Sequence, residues 1–538
     1  MVEPSSFCCI STIGCANELV GLLCSLSIHN TNAIIYCMVD SKTANILNEL
    51  SSQIYLDIRI INTLDKYSGK NRPQMEKEGI WSDFQMMKAE VIRETLKEQE
   101  DTFFLDADIF VLDKLLIPDK TKDIGVSPHY IPKQITDIYG YYNGGMIWVK
   151  NKNIPDDWIK FTKTSRYFDQ ASIEDLANKY SHFIFNRQYN FGLFRISYNK
   201  NTINDLKIHK NKICFKKKPI KCIHIHFTNK NHFKIFGNII INLLKESNKY
   251  KELICIERII KDCWYITIPK QPISGMYNHV NDTFRELAPL YSKHNKTFKC
   301  FPYKSTQCWF MLPHILLYDR PTLRWCNDEI KNASLILLGN CSETEAEELS
   351  NKYNIPVKPW IFWPRKPSLV EKIIDENINL SWDERIHEST FMGGYTTKVQ
   401  LEFRDPVKLG WDKVITNFYF IKGNNYKYTH EEYLKELRKS KYGLCLRGFG
   451  KKCNREMELL AMGTVPIITA DVSLYFNDPL IENKHYIRID NPNDYKNKID
   501  SITKEQWTEM SNNCKKWYMK NIHSKNGLNE LIKQILYN

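Results

Sequence analysis

The chain has 538 residues, of which 43% are hydrophobic and 25% are charged, a composition typical of a globular protein with material for more than one core. Its length corresponds to about three or four domain-sized units. The formal net charge of +13 indicates a lysine-rich surface that attracts anions. Over so long a chain, and without a DNA- or RNA-recognition motif, this charge gives little support for nucleic-acid binding, and we expect none.

The cysteines and the first residues bear on the compartment. The sixteen cysteines include no repeated C-x-x-C pair at zinc spacing, and a disulfide framework is not expected in so large a chain. Residues 1–6 lack the basic start of a signal peptide, and the apolar stretch at 9–14 is too short to span a bilayer. We therefore expect a soluble cytoplasmic protein with no signal peptide and no membrane span.

Strands and helices alternate along the first part of the chain. The predicted strands cover 7–13, 33–40, 57–64 and 102–112, and the predicted helices cover 17–30, 42–51 and 82–99, the last with Ser82 as its N-cap. This alternation predicts a mostly parallel sheet covered by helices, with ligands at the carboxyl ends of the strands. Asp40 follows one such end, and Asp106 and Asp108 follow another. We place the end of this first domain at residue 260.

The stretch "TFFLDADIFVLDKL" (102–115) puts two aspartates into an apolar strand pattern. Buried carboxylates are unfavourable unless they are paired, hydrogen-bonded or bound to a cation. Because residues i and i+2 of a strand point the same way, Asp106 and Asp108 can both reach one divalent cation, and oxygen ligands suit Mg²⁺ or Mn²⁺. A solvated strand end is the alternative interpretation.

The surrounding residues resemble a known family. "WSDFQMMKAEVI", "FLDADIFVL" and "YYNGGMIWVKN" occur in the order typical of nucleotide-diphosphosugar transferases of the GT-A fold, and the glycogenin-like branch is the most similar, over about residues 5–235. The resemblance implies that Asp106 and Asp108 bind Mn²⁺ (or Mg²⁺) and the sugar-nucleotide donor. It also implies that Asn143, Gly144 and Gly145 shape the sugar pocket, and that the catalytic pair near the donor sugar is Asp169 and Gln170.

Three further assignments follow from the same resemblance. A late histidine would be the third metal ligand, and in "HIHF" we prefer His226, with His224 as the alternative. Lys88 would lie near the donor, and Asp40 would help to read the nucleotide. The glycine and the Lys-Pro-Trp run that follow the histidine in the family are replaced here by Thr228, Asn229 and Lys230, so the resemblance assigns no phosphate contact to that region.

The remaining chain reads as two α/β lobes, which we place at 261–368 and 369–538. In the second lobe, "YGLCLRGFGKKCNREMELLAMGTVPII" (442–468) resembles the donor-binding lobe of exostosin-type glycosyltransferases, a GT-B architecture. The predicted fold is therefore a GT-A-type mixed-sheet domain followed by a GT-B-like pair of Rossmann-type lobes. GT-B enzymes usually need no metal, and the catalytic base is open, with His314 and Asp319 as weak candidates.

The glycine-containing loop and the helix after it have physical roles in such a site. Gly448 and Gly450 allow backbone N–H groups to approach a phosphate, which the following helix N-terminus attracts. Arg455 would add positive charge, and Glu458 would accept hydrogen bonds from ribose hydroxyls. Arg447 is a secondary candidate for the donor. In the loop "FMGGYTTK" (391–398), Thr396 or Lys398 would touch phosphate.

These resemblances favour a bifunctional glycosyltransferase that adds sugars from nucleotide-diphosphosugars, with UDP-sugars preferred, to a glycan or glycoprotein acceptor. The glycogenin-like part implies retention of configuration and the exostosin-like part inversion. The alternatives are a single active module with the other used for acceptor binding, a non-enzymatic carbohydrate-binding protein, and a nucleic-acid-binding protein. The bias toward Asn, Lys and Ile suggests an AT-rich genome, such as that of a bacterium or of a large DNA virus. A viral origin would place the protein in the host cytoplasm or the virion.

Overall fold

The structure is a computed structural model that divides into two compact units. It describes residues 1–268, 279–302, 315–318, 327–360, 364–395, 398–421, 427–448 and 450–538. The first unit comprises Met1–Trp264 with Ile535–Asn538, and the second comprises Tyr265–Gln534. The predicted domain end at residue 260 falls inside the last long helix of the first unit, Tyr250–Lys261. The candidates His314, Asp319 and Thr396 lie outside the described residues.

A seven-stranded sheet forms the centre of the first unit. The strands of this unit are β1 (Phe7–Ser11), β2 (Ile34–Val39), β3 (Asp57–Asn62), β4 (Thr102–Leu105), β5 (Ile109–Val111), β6 (Ile124–Pro128), β7 (Tyr142–Val149), β8 (His182–Ile184), β9 (Phe191–Gly192), β10 (Leu206–His209), β11 (Lys212–Phe215), β12 (Lys218–Pro219) and β13 (Cys222–His224). The sheet order is β3-β2-β1-β4-β7-β6-β8. Strand β7 runs antiparallel to β4 and β6, whereas the other pairs are parallel. The predicted mixed α/β sheet is confirmed.

Two smaller sheets complete the unit. Strands β10, β11 and β12 form an antiparallel sheet. Strand β13 lies between β5, to which it is antiparallel, and β9, to which it is parallel. The predicted single strand over 102–112 is therefore wrong, because β4 ends at Leu105 in the large sheet while β5 pairs in the small one. The chain changes sheets at the two aspartates.

The helices of the first unit cover and flank the large sheet. They are α1 (Ala16–His29), α2 (Ser41–Ser51), α3 (Arg72–Lys77), α4 (Trp81–Thr95), α5 (Lys133–Tyr139), α6 (Ile154–Thr162), α7 (Phe168–Lys179), α8 (Leu193–Tyr198), α9 (Lys230–His232), α10 (Asn238–Glu246) and α11 (Tyr250–Lys261). The predicted N-cap Ser82 is wrong. Helix α4 begins one residue earlier, at Trp81, because the Ile80 carbonyl already accepts a hydrogen bond from the Phe84 N–H.

A buried apolar cluster joins three helices to the large sheet. Met86 and Ile92 of α4, Trp158 of α6 and Leu176 of α7 pack in one cluster with sheet residues such as Phe104. The indole N–H of Trp158 also donates to the carbonyl of Asp169, 2.9 Å away, and so ties the start of α7 to this core. The packing of these helices fixes the positions from which polar side chains reach the carboxyl ends of the strands.

The second unit contains two five-stranded sheets. Its strands are β14 (Trp264–Ile268), β15 (Phe298–Pro302), β16 (Ile315–Tyr318), β17 (Leu335–Leu338), β18 (Val357–Pro359), β19 (His387–Phe391), β20 (Phe418–Phe420), β21 (Ser440–Cys445), β22 (Val465–Ile468) and β23 (Ile487–Arg488). The orders are β15-β14-β16-β17-β18 and β20-β19-β21-β22-β23. The pairs β14–β16, β16–β17 and β17–β18, and all four pairs of the second sheet, are parallel.

Helices connect most of these strands, and three more helices follow β23. They are α12 (His279–His294), α13 (Asn327–Asn332), α14 (Glu343–Tyr353), α15 (Pro367–Asp375), α16 (Lys398–Phe403), α17 (His430–Arg438), α18 (Asn454–Met462), α19 (Tyr495–Asp500), α20 (Lys504–Asn521) and α21 (Gly527–Tyr537). Parallel strands need such crossovers, and they leave polar loops at the carboxyl ends of the strands. Among the helices in the described ranges, none is long and apolar enough to cross a bilayer.

The contact between α1 and α11 gives a test of packing in the first unit. A Cβ atom on Gly21 would lie 2.2 Å from Cδ1 of Ile259. Alanine there should gain about 1 kcal/mol in helix propensity but lose about 1–3 kcal/mol through overpacking, so we expect Gly21→Ala to lower the free energy of unfolding. In an Ile259→Ala background the same change should be stabilising. Urea unfolding of the full chain measures both, and an equal loss in both backgrounds would contradict this account.

Candidate active site

Asp106 and Asp108 occupy a tight turn between β4 and β5. The Asp106 N–H donates to the carbonyl of Gly145 on β7, 2.8 Å away, and the Ile109 N–H donates to the Asp106 carbonyl at 3.0 Å. The turn, rather than the alternation of one continuous strand, brings the two carboxylates together. Oxygen atoms of both lie within 4.8 Å of each other and of a nitrogen of His224. We call Asp106, Asp108 and His224 the metal-ligand group.

The two histidines lie at the end of strand β13 and just after it, His224 being the last residue of the strand. His224 is paired with Ile109 across β13 and β5, and its Nε2 lies 3.1 Å from Oδ1 of Asp108. Nε2 of His226 lies 3.4 Å from Oδ2 of the same aspartate, but the side chain of His226 is 42% exposed, compared with 13% for His224. The structure therefore groups the alternative candidate, His224, with both aspartates, and it places the preferred candidate, His226, against Asp108.

The ring orientation of His224 is set by Asn190, which the sequence analysis did not single out. His224 Nδ1 lies 2.8 Å from the Asn190 side-chain oxygen, while the Asn190 amide donates to Oδ1 of Asn143 at 2.9 Å. The Asn190 oxygen is therefore the acceptor, so Nδ1 of His224 carries a proton and Nε2 is the nitrogen that faces Asp108. A metal-binding histidine is commonly oriented in this way. Asn190 adopts a φ of 48°, which asparagine tolerates better than most residues.

Lys88 reaches the carboxylates from α4. Its ammonium group lies 3.1 Å from Oδ1 of Asp106 and 3.0 Å from Oδ2 of Asp169, and it donates to the Gly144 carbonyl at 3.2 Å. Burial alone would lower the pKa of Lys88, but the charges of the two aspartates outweigh it and raise that pKa above its ordinary value. Lys88 is thus a fixed positive charge within the site.

The pKa values of the metal-ligand group reflect burial and mutual charge. Burial raises the pKa of Asp106 in spite of the neighbouring Lys88. Burial would also raise the pKa of Asp108, but His224 and His226 outweigh it and lower that pKa. In return, Asp108 raises the pKa of His224 against the effect of burial. A metal ion that binds Nε2 of His224 would have to displace a proton from that nitrogen, so metal binding would be weaker at low pH.

Gly144 and Gly145 lie in strand β7, and their lack of a side chain lets the acidic groups approach its backbone. A Cβ on Gly144 would lie 2.4 Å from Oδ2 of Asp169, and one on Gly145 would lie 2.5 Å from Oδ2 of Asp106. Both glycines are therefore required for the close approach of carboxylates, not for a turn. Asn143, the residue before them, accepts a hydrogen bond from the Gly145 N–H at 2.9 Å.

The predicted catalytic pair separates into two environments. Asp169 is 1% exposed at the start of α7, with one oxygen beside Lys88 and no hydrogen bond to Oδ1 within the described part of the chain. Gln170 joins an amide network, since its Oε1 lies 3.0 Å from Nε2 of His129 and 3.4 Å from Nδ2 of Asn143. Burial lowers the pKa of His129, which favours the neutral imidazole. His129 was not predicted, because no local pattern marks it.

Asp40 is part of the framework. It is fully buried as the N-cap of α2, where Oδ1 accepts from the Thr43 N–H at 2.9 Å, and Oδ2 accepts from the Ile13 N–H at 3.1 Å. Burial would raise the pKa of Asp40, but hydrogen bonds from Ser68 and Thr43 outweigh it and lower that pKa. The geometry therefore gives Asp40 a capping role, and its reading of a nucleotide stays a prediction.

A second candidate site lies in the second unit, where β21 leads through the glycine-containing loop into α18. The guanidinium of Arg455 lies 4.3 Å above the ring of Phe391, and Arg404 reaches the same ring. Buried nitrogens of Arg404, Arg447 and Arg455 have no hydrogen-bond acceptor among the described residues. We call these three residues the arginine cluster. Arg404 was not predicted.

Glycines allow the arginine cluster to form. A Cβ on Gly393 would lie 1.9 Å from Nη2 of Arg455 and 2.9 Å from Nη2 of Arg404, and one on Gly448 would lie 3.0 Å from Nη1 of Arg404. Burial and the charge of Arg455 lower the pKa of Arg404. Unpaired buried donors on neighbouring cations are unfavourable, and an anion would satisfy both the donors and the charge.

The other predicted residues of this site contact protein groups. Gly450 packs against Asn340, from whose Nδ2 a Cβ would be 1.6 Å away. Glu458 accepts from the Tyr433 hydroxyl at 2.7 Å and from the Arg365 N–H at 3.2 Å. Lys398 is exposed at the start of α16. The predicted contacts of Gly450 and Lys398 with phosphate, and of Glu458 with ribose, stay predictions.

Comparison with known proteins gives structural similarity only. No family model and no curated protein matches the sequence. The glycosyltransferase GlyE of Streptococcus pneumoniae TIGR4 is 12% identical, with a TM-score of 0.31 over 67% of this chain and 91% of that one. The galactosyltransferase LgtC, solved with donor and acceptor sugar analogues, is 13% identical, with a TM-score of 0.31 over 45% of this chain and 95% of that one. The bifunctional glycosyltransferase WbbM is 12% identical, with a TM-score of 0.29 over 45% of this chain and 50% of that one.

The role of Asn190 is testable through metal affinity. Asn190→Gly keeps the positive φ but removes the acceptor for Nδ1 of His224, so we expect Mn²⁺ affinity to fall by about 10- to 100-fold. Electron paramagnetic resonance of free Mn²⁺ measures the affinity of the full chain. Asn211→Gly is the matched control, because Asn211 has a φ of 57° on an exposed turn. Unchanged affinity in Asn190→Gly would remove Asn190 from the site.

Proposed function

We propose that the first unit is a metal-dependent GT-A glycosyltransferase that uses a nucleotide-diphosphosugar donor, with a UDP-sugar preferred, and a glycan or glycoprotein acceptor. One observation carries the proposal. Asp106, Asp108 and Asp169 contribute three negative charges and Lys88 one positive charge, so these four side chains together have a net charge of −2. A divalent cation would balance that charge, and the oxygen and imidazole ligands suit Mn²⁺ or Mg²⁺.

The charged residues of the first site would have distinct roles. Asp106, Asp108 and His224 would hold the cation, with His226 as a further ligand on the side of Asp108. When bound, the cation would neutralise the diphosphate leaving group and orient the donor. Lys88 offsets the repulsion between Asp106 and Asp169 and keeps both close to β7.

The predicted catalytic pair would act on the donor sugar. Oδ1 of Asp169 has no hydrogen bond from the described residues, but it is buried, so it would accept one from a sugar hydroxyl only if the bound sugar displaced the groups that cover it. Gln170 is held by the network that includes His129 and Asn143, which fixes the direction of its amide. Such positioning of a bound sugar is a large part of the catalysis of group transfer.

Removing one ligand tests the first site. We expect Asp108→Asn to lower Mn²⁺-dependent hydrolysis of a responsive sugar nucleotide, found by screening a panel, by at least about a hundredfold, equivalent to about 3 kcal/mol of transition-state stabilisation. EDTA should have the same effect on the unmodified chain. The matched control is Asp113→Asn, since Asp113 lies on the same segment but pairs with surface lysines.

The products distinguish two versions of the proposal. If Asp108→Asn abolishes one glycosidic linkage and spares another, both units are active, as in a bifunctional enzyme. If it abolishes all transfer, the second unit has a supporting role. Full activity in Asp108→Asn, or no effect of EDTA on the hydrolysis that Mn²⁺ stimulates, would overturn the proposed metal site.

We also infer that the second unit binds the diphosphate of a sugar nucleotide without a metal, as a GT-B donor lobe would. The arginine cluster supports this, because it combines buried guanidinium nitrogens without acceptors among the described residues and the close approach of Arg404 and Arg455 to each other at Gly393. Guanidinium groups suit phosphate because they donate two parallel hydrogen bonds. Arg455 and the N-terminus of α18 would act on the same anion.

Binding in EDTA tests the second site. We expect the EDTA-treated chain to bind UDP, and inorganic pyrophosphate more weakly, and we expect Arg404→Gln to weaken both at least about tenfold through loss of a charge-assisted hydrogen bond. Isothermal titration calorimetry measures these affinities. Arg488→Gln is the control, because Arg488 pairs with Asp490 at the surface. No binding in EDTA, or equal binding by Arg404→Gln and the unmodified chain, would contradict the inference.

A further inference from the structure

A pocket of about 460 Å³ lies in the first unit, apart from the metal-ligand group. Tyr130, Arg187, Arg195, Tyr198 and Lys216 line it, together with asparagine, threonine and aspartate side chains of the segment 199–205. None of these lining residues belongs to the metal-ligand group. A cation bound to the metal-ligand group would therefore contact one part of the reactants, and the pocket would bind another.

The pocket is positively charged. Arg187, Arg195 and Lys216 contribute three positive charges, and Asp205, 4.0 Å from Lys216, contributes one negative charge, which leaves +2. The two guanidinium groups lie 5.1 and 4.8 Å from the centre of the Tyr130 ring. The tyrosine thereby holds two like charges together, an arrangement that an anion would stabilise.

Arg195 is the buried charged residue of the pocket. It is 4% exposed, and its Nη atoms donate to the carbonyls of Arg187, Tyr189 and Asn190 at 2.6 to 3.1 Å. Its Nε has no acceptor among the described residues. Burial lowers the pKa of Arg195 to about 9. Arg195 is thus a buried positive charge at the wall of the pocket with one donor unpaired among the described residues.

The pocket is continuous with the proposed active site through the backbone. Tyr130 follows His129, whose ring contacts Gln170, and Arg195 holds the carbonyl of Asn190, whose side chain orients His224. The ring of Phe194, next to Arg195, packs edge-on against both His129 and His224. A molecule in the pocket would therefore lie beside the residues that position donor and metal.

We propose that this pocket binds the acceptor and that the acceptor sugar entering it carries an anionic group, either a carboxylate or a phosphate. The donor diphosphate is assigned to the metal-ligand group, so the positive charge of the pocket is available for a second anion. Asparagine and threonine side chains around it suit sugar hydroxyls. This inference rests on the proposed function of the first unit, because only a transferase has an acceptor.

The test compares acceptors that differ in charge alone. Calorimetry on the full chain, without Mn²⁺ or donor, would measure binding of a glucuronic-acid-terminated disaccharide, the glucose-terminated equivalent and a glucose-6-phosphate-terminated one. We expect at least one anionic sugar to bind roughly tenfold more tightly than the neutral one, since a charge-assisted hydrogen bond contributes about 1.5 kcal/mol. The anionic pair shows whether carboxylate or phosphate is preferred.

Variants assign the binding to the pocket. Arg187→Gln and Lys216→Gln should each reduce the preference for the anionic sugar several-fold, while Mn²⁺ affinity and melting temperature show that the chain is folded. Lys217→Gln is the matched control, since Lys217 is an exposed lysine that follows Lys216 in the same turn and does not line the pocket. An unaltered preference in both pocket variants would overturn the proposal.

Two further outcomes separate this inference from the proposed function. Intact Mn²⁺-dependent sugar-nucleotide hydrolysis with equal affinity for charged and neutral sugars would overturn the anionic acceptor and leave the transferase standing. UDP could also displace the anionic sugar from an Arg404→Gln chain in the absence of metal. The pocket would then be a donor site, and the proposed anionic acceptor would be overturned. If the unmodified chain hydrolyses no sugar nucleotide in the presence of Mn²⁺, the proposed transferase function itself would be overturned.

Discussion

The buried ammonium group of Lys88 is the interaction on which the first site depends. It lies between Asp106 and Asp169 and also donates to the backbone of β7. Without it, the neighbouring buried carboxylates would repel each other. An unpaired buried charge lowers the free energy of unfolding by several kcal/mol. Met86 and Ile92 anchor the same helix in the core. Apolar packing thus determines where the positive charge lies, and the charge in turn permits the acidic group.

The sequence predicted the composition of this site better than its geometry. Asp106 and Asp108 were recognised because carboxylates are rare in an apolar strand pattern, but the strand period gave the wrong reason for their proximity. They approach because the chain leaves the large sheet at Leu105 and joins β13 in a small one. That exchange depends on pairing between residues more than a hundred positions apart, which no local pattern contains.

The residues that were missed act through long-range contacts. Asn190 orients His224 across 34 positions and His129 meets Gln170 across 41, so neither has a neighbour in sequence that would reveal its partner. The same holds in the second unit, where Arg455 follows a recognisable loop but Arg404 comes from another segment and meets it beside Gly393. Glu458 was itself predicted as a site residue, but its hydrogen bonds from Tyr433 and Arg365 were not.

The two candidate sites have opposite electrostatic deficits. The first has an excess of negative charge, so under the proposed function it would hold a diphosphate only after a cation had reversed the local sign of charge. The arginine cluster of the second has an excess of positive charge, so it would need no cation for the same ligand. A chelator would then act on the first site and leave the second unchanged. If both sites bind sugar nucleotides as proposed, the charge of their side chains is what would allow metal dependence to distinguish them within one chain.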